Sequence, residues 1–213
     1  MKLAHGIYNI YKPPGPTSHD MVDLVRKLSG EKRVGHAGTL DPFAEGVLII
    51  AVGREYTKQL GQFLKKDKTY IATLRLGASS DTGDITGKLT PRGSTSGERP
   101  TREEVVAVLK KFVGEIAQTP PAYSAIQVAG QRAYALARQG LTPKLAPRKI
   151  TIYSLKLLSY RWPNLKIETK VSSGTYIRVL AEDIGETLKT KAYLTKLIRT
   201  SVSDFKVNSS LKL

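Results

Sequence analysis

Residues 6–11 read as a short strand that breaks at Lys12-Pro13-Pro14-Gly15-Pro16. Thr17 can cap the following helix, with Asp20 completing an imperfect capping box. Met21, Val25 and Leu28 then share one face, and Gly30 stops the helix. The apolar run Val47-Leu48-Ile49-Ile50-Ala51-Val52 predicts a buried strand. Tyr56, Leu60, Phe63 and Leu64 fall on one helical face, whereas 68–76 alternates as a half-buried strand with Tyr70, Ala72, Leu74 and Leu76 pointing one way. Residues 77–100 are rich in Gly, Ser, Thr and Pro and predict loops.

Thr101-x-x-Glu104 is a capping box, opening a helix that buries Val105, Val108, Leu109 and Phe112. A short strand near 124–128, a helix over 132–139 stopped by Gly140, and strands near 148–159 and 165–172 follow. A helix over 176–188 turns Ile177, Leu180, Ala181, Ile184 and Leu188 inward, and 192–202 forms the last strand. Strict βαβ alternation and internal repeats are both missing. The predicted class is α+β, with a mixed, mostly antiparallel central sheet and flanking helices in a single domain over 1–213.

Composition narrows the chemistry. The 213 residues carry a net charge of +16, from 34 basic and 18 acidic residues. The excess is spread along the chain, which favours a polyanionic partner over a membrane surface; no strongly basic amphipathic helix stands out. Zero cysteines exclude disulfides, thiolate metal sites and cysteine nucleophiles. Phosphate-binding glycine motifs do not occur, and His5, His19 and His36 lack metal-ligand spacing. No apolar run approaches bilayer length, and the first residues lack a secretory pattern, so a soluble cytoplasmic protein is expected.

The most informative stretch is Gly35-His36-Ala37-Gly38-Thr39-Leu40-Asp41-Pro42. Small residues permit close backbone approach to a ligand, and Pro42 restricts Asp41 to an extended backbone. An ordinary Asp-Pro pair caps a helix, with Pro at its first position. Arg178 is unusual because it sits in the first turn of its helix, where the macrodipole disfavours a cation; a carboxylate partner would offset that placement. Asp81 and Asp84 mimic metal-ligand spacing without the rest of a calcium loop, so a turn with Asp side chains on backbone amides is expected.

Taken in order, these segments resemble the TruB family of tRNA pseudouridine synthases. The matches run from Gly6-Ile7 and Lys12-Pro13-Pro14-Gly15-Pro16-Thr17-Ser18 through GHAGTLDPFAEGVL at 35–48, the family's signature segment. Lys68-Thr69-Tyr70, Leu76-Gly77, Asp81-Thr82-Gly83-Asp84, the segments 118–125 and 132–140, Ser173-Gly174-Thr175-Tyr176-Ile177-Arg178 and Leu197-Ile198-Arg199-Thr200 complete the set. The resemblance implies a pseudouridine synthase fold that isomerises the uridine at position 55 of the tRNA T loop. It implies a flipped base and an aspartate nucleophile, Asp41. Tyr70 would stack on the extruded uracil, and Arg178 would pair with Asp41. Leu197 would read the uracil edge through its backbone, and His36 would help fill the space left by flipped bases.

The same resemblance makes 120–148 an RNA-gripping thumb insertion whose Arg132, Arg138, Lys144 and Arg148, with Lys149 beside it, suit backbone contacts. An isomerisation needs no cofactor, and neither a metal nor a protein partner is expected; the enzyme would act as a monomer on the T stem-loop. Gln127 stands where many relatives carry a basic residue, and Ile198 where an arginine is common. The chain ends 13 residues after Thr200, so no C-terminal PUA-type RNA-binding domain is expected. The alternatives are a guide-RNA-dependent, dyskerin-like synthase and a non-catalytic RNA-binding or RNA-folding protein.

Overall fold

Thr17 starts the first helix as its composition predicts. Its hydroxyl accepts the Asp20 N–H while the Asp20 carboxylate accepts the Thr17 N–H, and Gly30 closes the helix in the left-handed region at φ 72°. This helix is α1 (Ser18–Ser29). The computed structural model describes residues 2–91, 99–124, 126–128, 130–133, 136, 139–141, 143 and 145–213, except the side chains of Val128 and Arg132.

The strands in chain order are β1 (Gly6–Lys12), β2 (Val34–Ala37), β3 (Glu45–Val52), β4 (Lys68–Leu76), β5 (Ala78–Ser80), β6 (Leu89–Pro91) and β7 (Gly114–Gln118). They continue with β8 (Gln127–Val128), β9 (Gln131–Arg132), β10 (Arg148–Arg161), β11 (Asn164–Val171), β12 (Ala192–Val202) and β13 (Phe205–Lys206). The two other long helices are α2 (Arg102–Lys111) and α3 (Ile177–Thr187). Among the described residues the main sheet has the order β1-β3-β12-β4-β11-β10-β7, with β2 on β3 and β13 on β12. The pairs β1–β3, β2–β3, β7–β10 and β12–β13 are antiparallel, and β12–β3 is parallel. The sheet is therefore mixed and mostly antiparallel, as predicted.

The chain divides into two compact units. The first comprises residues 1–72, 168–173 and 196–213; the second comprises 73–167 and 174–195. In the first unit β3 is covered on both faces. Leu48, Ile50 and Val52 pack with Met21, Val22 and Val25 of α1 and with Ile10, while Val47 and Ile49 pack with Ala37 and Val202. Two-sided burial is why β3 reads as an unbroken apolar run. Gly46 sits at φ 112°, and a Cβ there would lie 2.2 Å from the Arg199 carbonyl oxygen, so only glycine lets β12 run this close to β3.

In the second unit Thr101 caps α2 through the expected reciprocal bonds with Glu104. Val105, Val108 and Leu109 are buried, whereas Phe112 lies just past the helix and is half-exposed. The face of α3 buries Ile177, Arg178, Leu180, Ala181 and Ile184.

Three elements differ from the prediction. The Tyr56–Leu64 face is not one helix but three short pieces, Arg54–Thr57, Lys58–Leu60 and Gly61–Leu64, none with a side-chain cap. Leu60 and Phe63 still pack on the Val47 and Ile49 side of β3, while Leu64 is exposed. The 77–100 loops contain the β5–β6 hairpin, and β7 precedes the segment expected to be a thumb. Of that segment, β8 and β9 pair antiparallel through Gln127↔Arg132; Arg138 and Lys144 lie outside the described residues. Among the described residues no helix is long and apolar enough to cross a membrane.

Candidate active site

Asp41 lies on the connection from β2 to β3, and no helix follows it. The Asp-Pro pair opens a turn instead, in which the Ala44 N–H donates to the Asp41 carbonyl at 3.1 Å before β3 begins. The segment around it is fixed through its main chain. Ser18 holds Leu40 from both sides, its hydroxyl accepting the Leu40 N–H at 2.8 Å and donating to the Leu40 carbonyl at 3.1 Å. The Gly15 N–H donates to the Pro42 carbonyl at 2.8 Å.

Two fully buried cations complete this grip. The Lys12 ammonium donates to the carbonyls of Pro42 at 3.1 Å, Ala44 at 2.6 Å and Pro13 at 2.9 Å. The Arg199 guanidinium donates to the carbonyls of Gly38 at 2.8 Å, Thr39 at 3.5 Å and Val47 at 2.7 Å. Lys12 and Arg199 are 0% and 1% exposed, so their charges are held away from water on either side of Asp41 in the sequence. Burial pulls the Lys12 ammonium down to about 8, partly resisted by the Asp41 carboxylate and reinforced by Arg199. The Lys12 charge therefore acts directly on the Asp41 carboxylate.

His36 lies on β2, half-buried, paired with Ile50 of β3. Burial first, and then the Arg199 charge, hold its pKa below the usual imidazole range. Its Nδ1 is buried without a hydrogen-bond partner, which a neutral ring tolerates better than a charged one. Tyr70 occupies an inward position of β4 and is 7% exposed, so little of its ring reaches solvent. Leu197 is buried on β12, one residue before the parallel pair Ile198↔Glu45 that brings this strand alongside the exit of the Asp41 turn. Asp41, His36, Tyr70 and Leu197 all belong to the first unit.

Arg178 belongs to the second. Its guanidinium donates to the carbonyls of Thr82 at 2.8 Å and Tyr123 at 2.9 Å, and its Nε lies 3.8 Å from the Asp84 carboxylate. Both side chains are 6% exposed. A carboxylate does offset the awkward first-turn placement, and Asp84 supplies one. Asp84 in turn accepts the Thr86 N–H at 2.9 Å and the Thr82 hydroxyl at 3.0 Å, while Asp81 accepts the Lys88 N–H at 2.8 Å. The Asp81–Asp84 segment is thus the expected backbone-bonded turn. The start of α3 is set by Gln118, whose amide accepts the Tyr176 N–H at 2.8 Å and donates to the Tyr176 carbonyl at 3.1 Å.

Of the expected RNA contacts, Arg148 and Lys149 are exposed at the start of β10. The Lys149 ammonium meets the Glu115 carboxylate at 2.9 Å in a solvent-screened pair. Arg132 is placed by its backbone on β9, and its side chain lies outside the described residues. Lys12, Gln118 and Arg199 were not picked out individually in the sequence, and Asp84 was expected only as a turn residue. Position did mark Lys12: it follows Ile10 by two residues on a strand, and both point inward.

Comparison with known proteins gives a consistent result. Residues 26–177 match the family described as TruB family pseudouridylate synthase, N-terminal domain. The chain is 44% identical over 211 residues to tRNA pseudouridine synthase B of Caldanaerobacter subterraneus subsp. tengcongensis, covering 98% of this chain and 72% of that protein. It is 44% identical over 207 residues to the Rickettsia africae protein of the same name, spanning 59% of its length. Among solved structures, a Cbf5-Nop10-Gar1 complex superposes with a TM-score of 0.75 at 30% identity, covering 98% of this chain and 52% of the matched one. The H/ACA RNP bound to a substrate RNA containing 2'-deoxyuridine gives a TM-score of 0.72 at 27% identity.

Proposed function

The chain belongs to the TruB family of pseudouridylate synthases, and from that premise we propose that it isomerises uridine to pseudouridine at position 55 in the tRNA T loop. The observation that carries this reading is the fixed Asp41 turn, gripped by Lys12 and Arg199 through carbonyl oxygens. A nucleophile is effective when its approach is set before substrate arrives, and main-chain clamping sets the position of the turn that carries Asp41.

In the proposed reaction the target base leaves its stack, at a cost of a few kcal/mol that phosphate contacts and stacking on Tyr70 offset. Asp41 attacks the nucleotide to form a covalent bond, the C1′–N1 bond breaks, the uracil turns, a C1′–C5 bond forms, and the bond to Asp41 breaks to return the free carboxylate. The C5 proton is lost and N1 gains one, so atoms and electrons balance without a redox partner. The resemblance supplies the remaining roles: Arg178 as the counter-ion of Asp41, Leu197 at the uracil edge, and His36 in the space the base leaves. Arg132, Arg148 and Lys149 act on the RNA backbone. The enzyme works as a cytoplasmic monomer without cofactor or protein partner.

The identity of 44% to proteins named tRNA pseudouridine synthase B, against 30% to Cbf5, favours this reading over a guide-dependent one. Nucleotide-resolved mapping of pseudouridine after incubating the purified chain with an unmodified T-arm stem-loop tests it. Product at uridine 55 is expected, and Asp41→Asn removes it while RNA binding persists. Near-normal turnover by that variant overturns the assignment. RNA binding with no product from the unsubstituted chain on any tRNA makes the protein a binding or folding factor instead.

A further inference from the structure

A second basic feature lies in the first unit, on a segment to which no role has been given. An open cleft of about 330 Å³ is bordered by Lys65 and Lys66 before β4, Lys170 on β11 and the turn that joins β12 to β13. We propose that this cleft binds a phosphodiester of the bound RNA, a contact additional to those of the thumb-like segment. The proposal rests on the RNA-modifying reading given above.

The lining chemistry selects the ligand. Three ammonium groups face two carboxylates, and hydroxyls of Thr69, Ser201 and Ser203 supply further hydrogen-bond donors. The cleft has no aromatic residue on which a base could stack, so backbone recognition fits it and base recognition does not. Among the described residues no three His, Cys, Asp or Glu side chains are placed to hold a metal ion. One competitor is Asp67, whose carboxylate lies 3.8 Å from the Lys170 ammonium. Both side chains are about half exposed, and such a pair yields readily to a phosphate.

The cleft is also held in shape before any ligand arrives. The buried Lys68 ammonium donates to the carbonyls of Leu64 at 2.9 Å and Lys66 at 2.6 Å, which fixes the segment that presents Lys65 and Lys66. The Ser203 N–H donates to the Asp67 carbonyl at 3.0 Å, tying that segment to the β12–β13 turn. Ser203 itself adopts φ 49° in a two-residue hairpin turn, a place where glycine or asparagine is the unstrained choice. A strained serine here keeps a hydroxyl on the wall of the cleft.

The test uses the full chain and a T-arm RNA. Lys65→Ala, Lys66→Ala and Lys170→Ala combined are expected to weaken binding about tenfold and to lower the slope of log affinity against log salt by about 1 to 2. A control combining Lys2→Ala, Lys27→Ala and Lys32→Ala removes the same charge from elsewhere on this unit. Equal losses in the two triple variants, or an unchanged slope in the first, overturn the cleft. Amine acetylation supplies a second readout. RNA is expected to protect Lys65, Lys66 and Lys170, whereas inorganic phosphate alone at millimolar concentration does not. Equal protection by inorganic phosphate replaces the RNA assignment with a free-anion site. Pseudouridine formation by the unsubstituted chain, measured separately, shows whether the enzymatic reading stands regardless of this result.

Discussion

The two functional regions solve one problem, a buried cation near a working group, in opposite ways. Around Asp41, Lys12 and Arg199 make six hydrogen bonds, every one of them to a main-chain carbonyl oxygen. At the start of α3, Arg178 also uses two carbonyls but faces a buried carboxylate, Asp84. Carbonyl dipoles satisfy donors without cancelling charge, so the first arrangement fixes a loop and leaves it electropositive. A paired carboxylate cancels charge, so the second fixes a side chain and leaves its surroundings closer to neutral. The depressed Lys12 pKa, about 8, is the mark of the first arrangement.

The sharpest way to break this contrast is Arg199→Met, which keeps bulk and removes the donors. Buried carbonyls of Gly38 and Val47 then lose their partners, and a loss of about 3–5 kcal/mol is expected in urea denaturation. A loss below about 1 kcal/mol would mean that water replaces the guanidinium and that the loop does not depend on it. Asp84→Asn is the matching change in the other region. It keeps the acceptor for the Thr86 N–H and replaces the charged oxygen opposite Arg178 with a neutral NH2, which cannot accept from the guanidinium. A smaller loss, about 1–3 kcal/mol, is expected, together with slower pseudouridine formation. Equal costs for the two variants would erase the distinction between carbonyl and carboxylate compensation.

Much of this was legible in the sequence, for identifiable reasons. Thr17, Asp20 and Gly30 carry local start and stop chemistry, and α1 follows from them. β3 is a continuous apolar run because both its faces are covered. Asp41, Tyr70 and Arg178 were singled out by motif resemblance, and Arg178 also by its conflict with the helix dipole. Lys12 and Arg199 escaped notice because a buried cation satisfied by carbonyls has no charged partner to announce it. Their acceptors are main-chain atoms, which any residue type supplies. The Leu60–Phe63 face was assigned to a helix because periodicity reports the shared face, while the switch to 3-10 geometry at Lys58–Leu60 leaves no periodic trace. The β5–β6 hairpin was lost in a stretch whose Gly, Ser and Thr content hides a three-residue strand.

The pH dependence sharpens the same contrast with a smaller effect. Lys12 holds its proton to about 8 in the folded chain and to 10.5 in the unfolded one. Lys68, also buried and also bonded only to carbonyls, is likewise lowered from 10.5 to about 8. Between pH 8 and 10.5 the unfolded chain therefore binds more protons than the folded one, so the contribution of these two groups to stability rises with pH. Tyr11 has the opposite sign. Its hydroxyl is pushed up to about 12 by its hydrogen bond to Glu45, and its contribution falls above pH 10. The clean window is pH 8 to 10. Denaturation series at pH 8, 9 and 10 should show a shallower slope for Lys68→Met than for the unsubstituted chain. An unchanged slope would remove Lys68 from the group of charge-uncompensated cations.

The smallest expected effect compares the two capped helices, one in each unit. Thr17 and Thr101 make the same reciprocal bonds, with Asp20 and Glu104 at the third helical position. Replacing either by alanine removes one acceptor for an otherwise orphaned N–H and costs about 1 kcal/mol. The two helices differ at their other ends, since α1 closes on a left-handed glycine and α2 on Phe112 in right-handed geometry. The α2 helix therefore relies more heavily on its N-terminal cap, and Thr101→Ala should open its own amides further than Thr17→Ala opens those of α1. Native-state hydrogen exchange reads this helix by helix. Equal increases in exchange for the two variants would mean that the C-terminal glycine contributes nothing to the relative stability of α1.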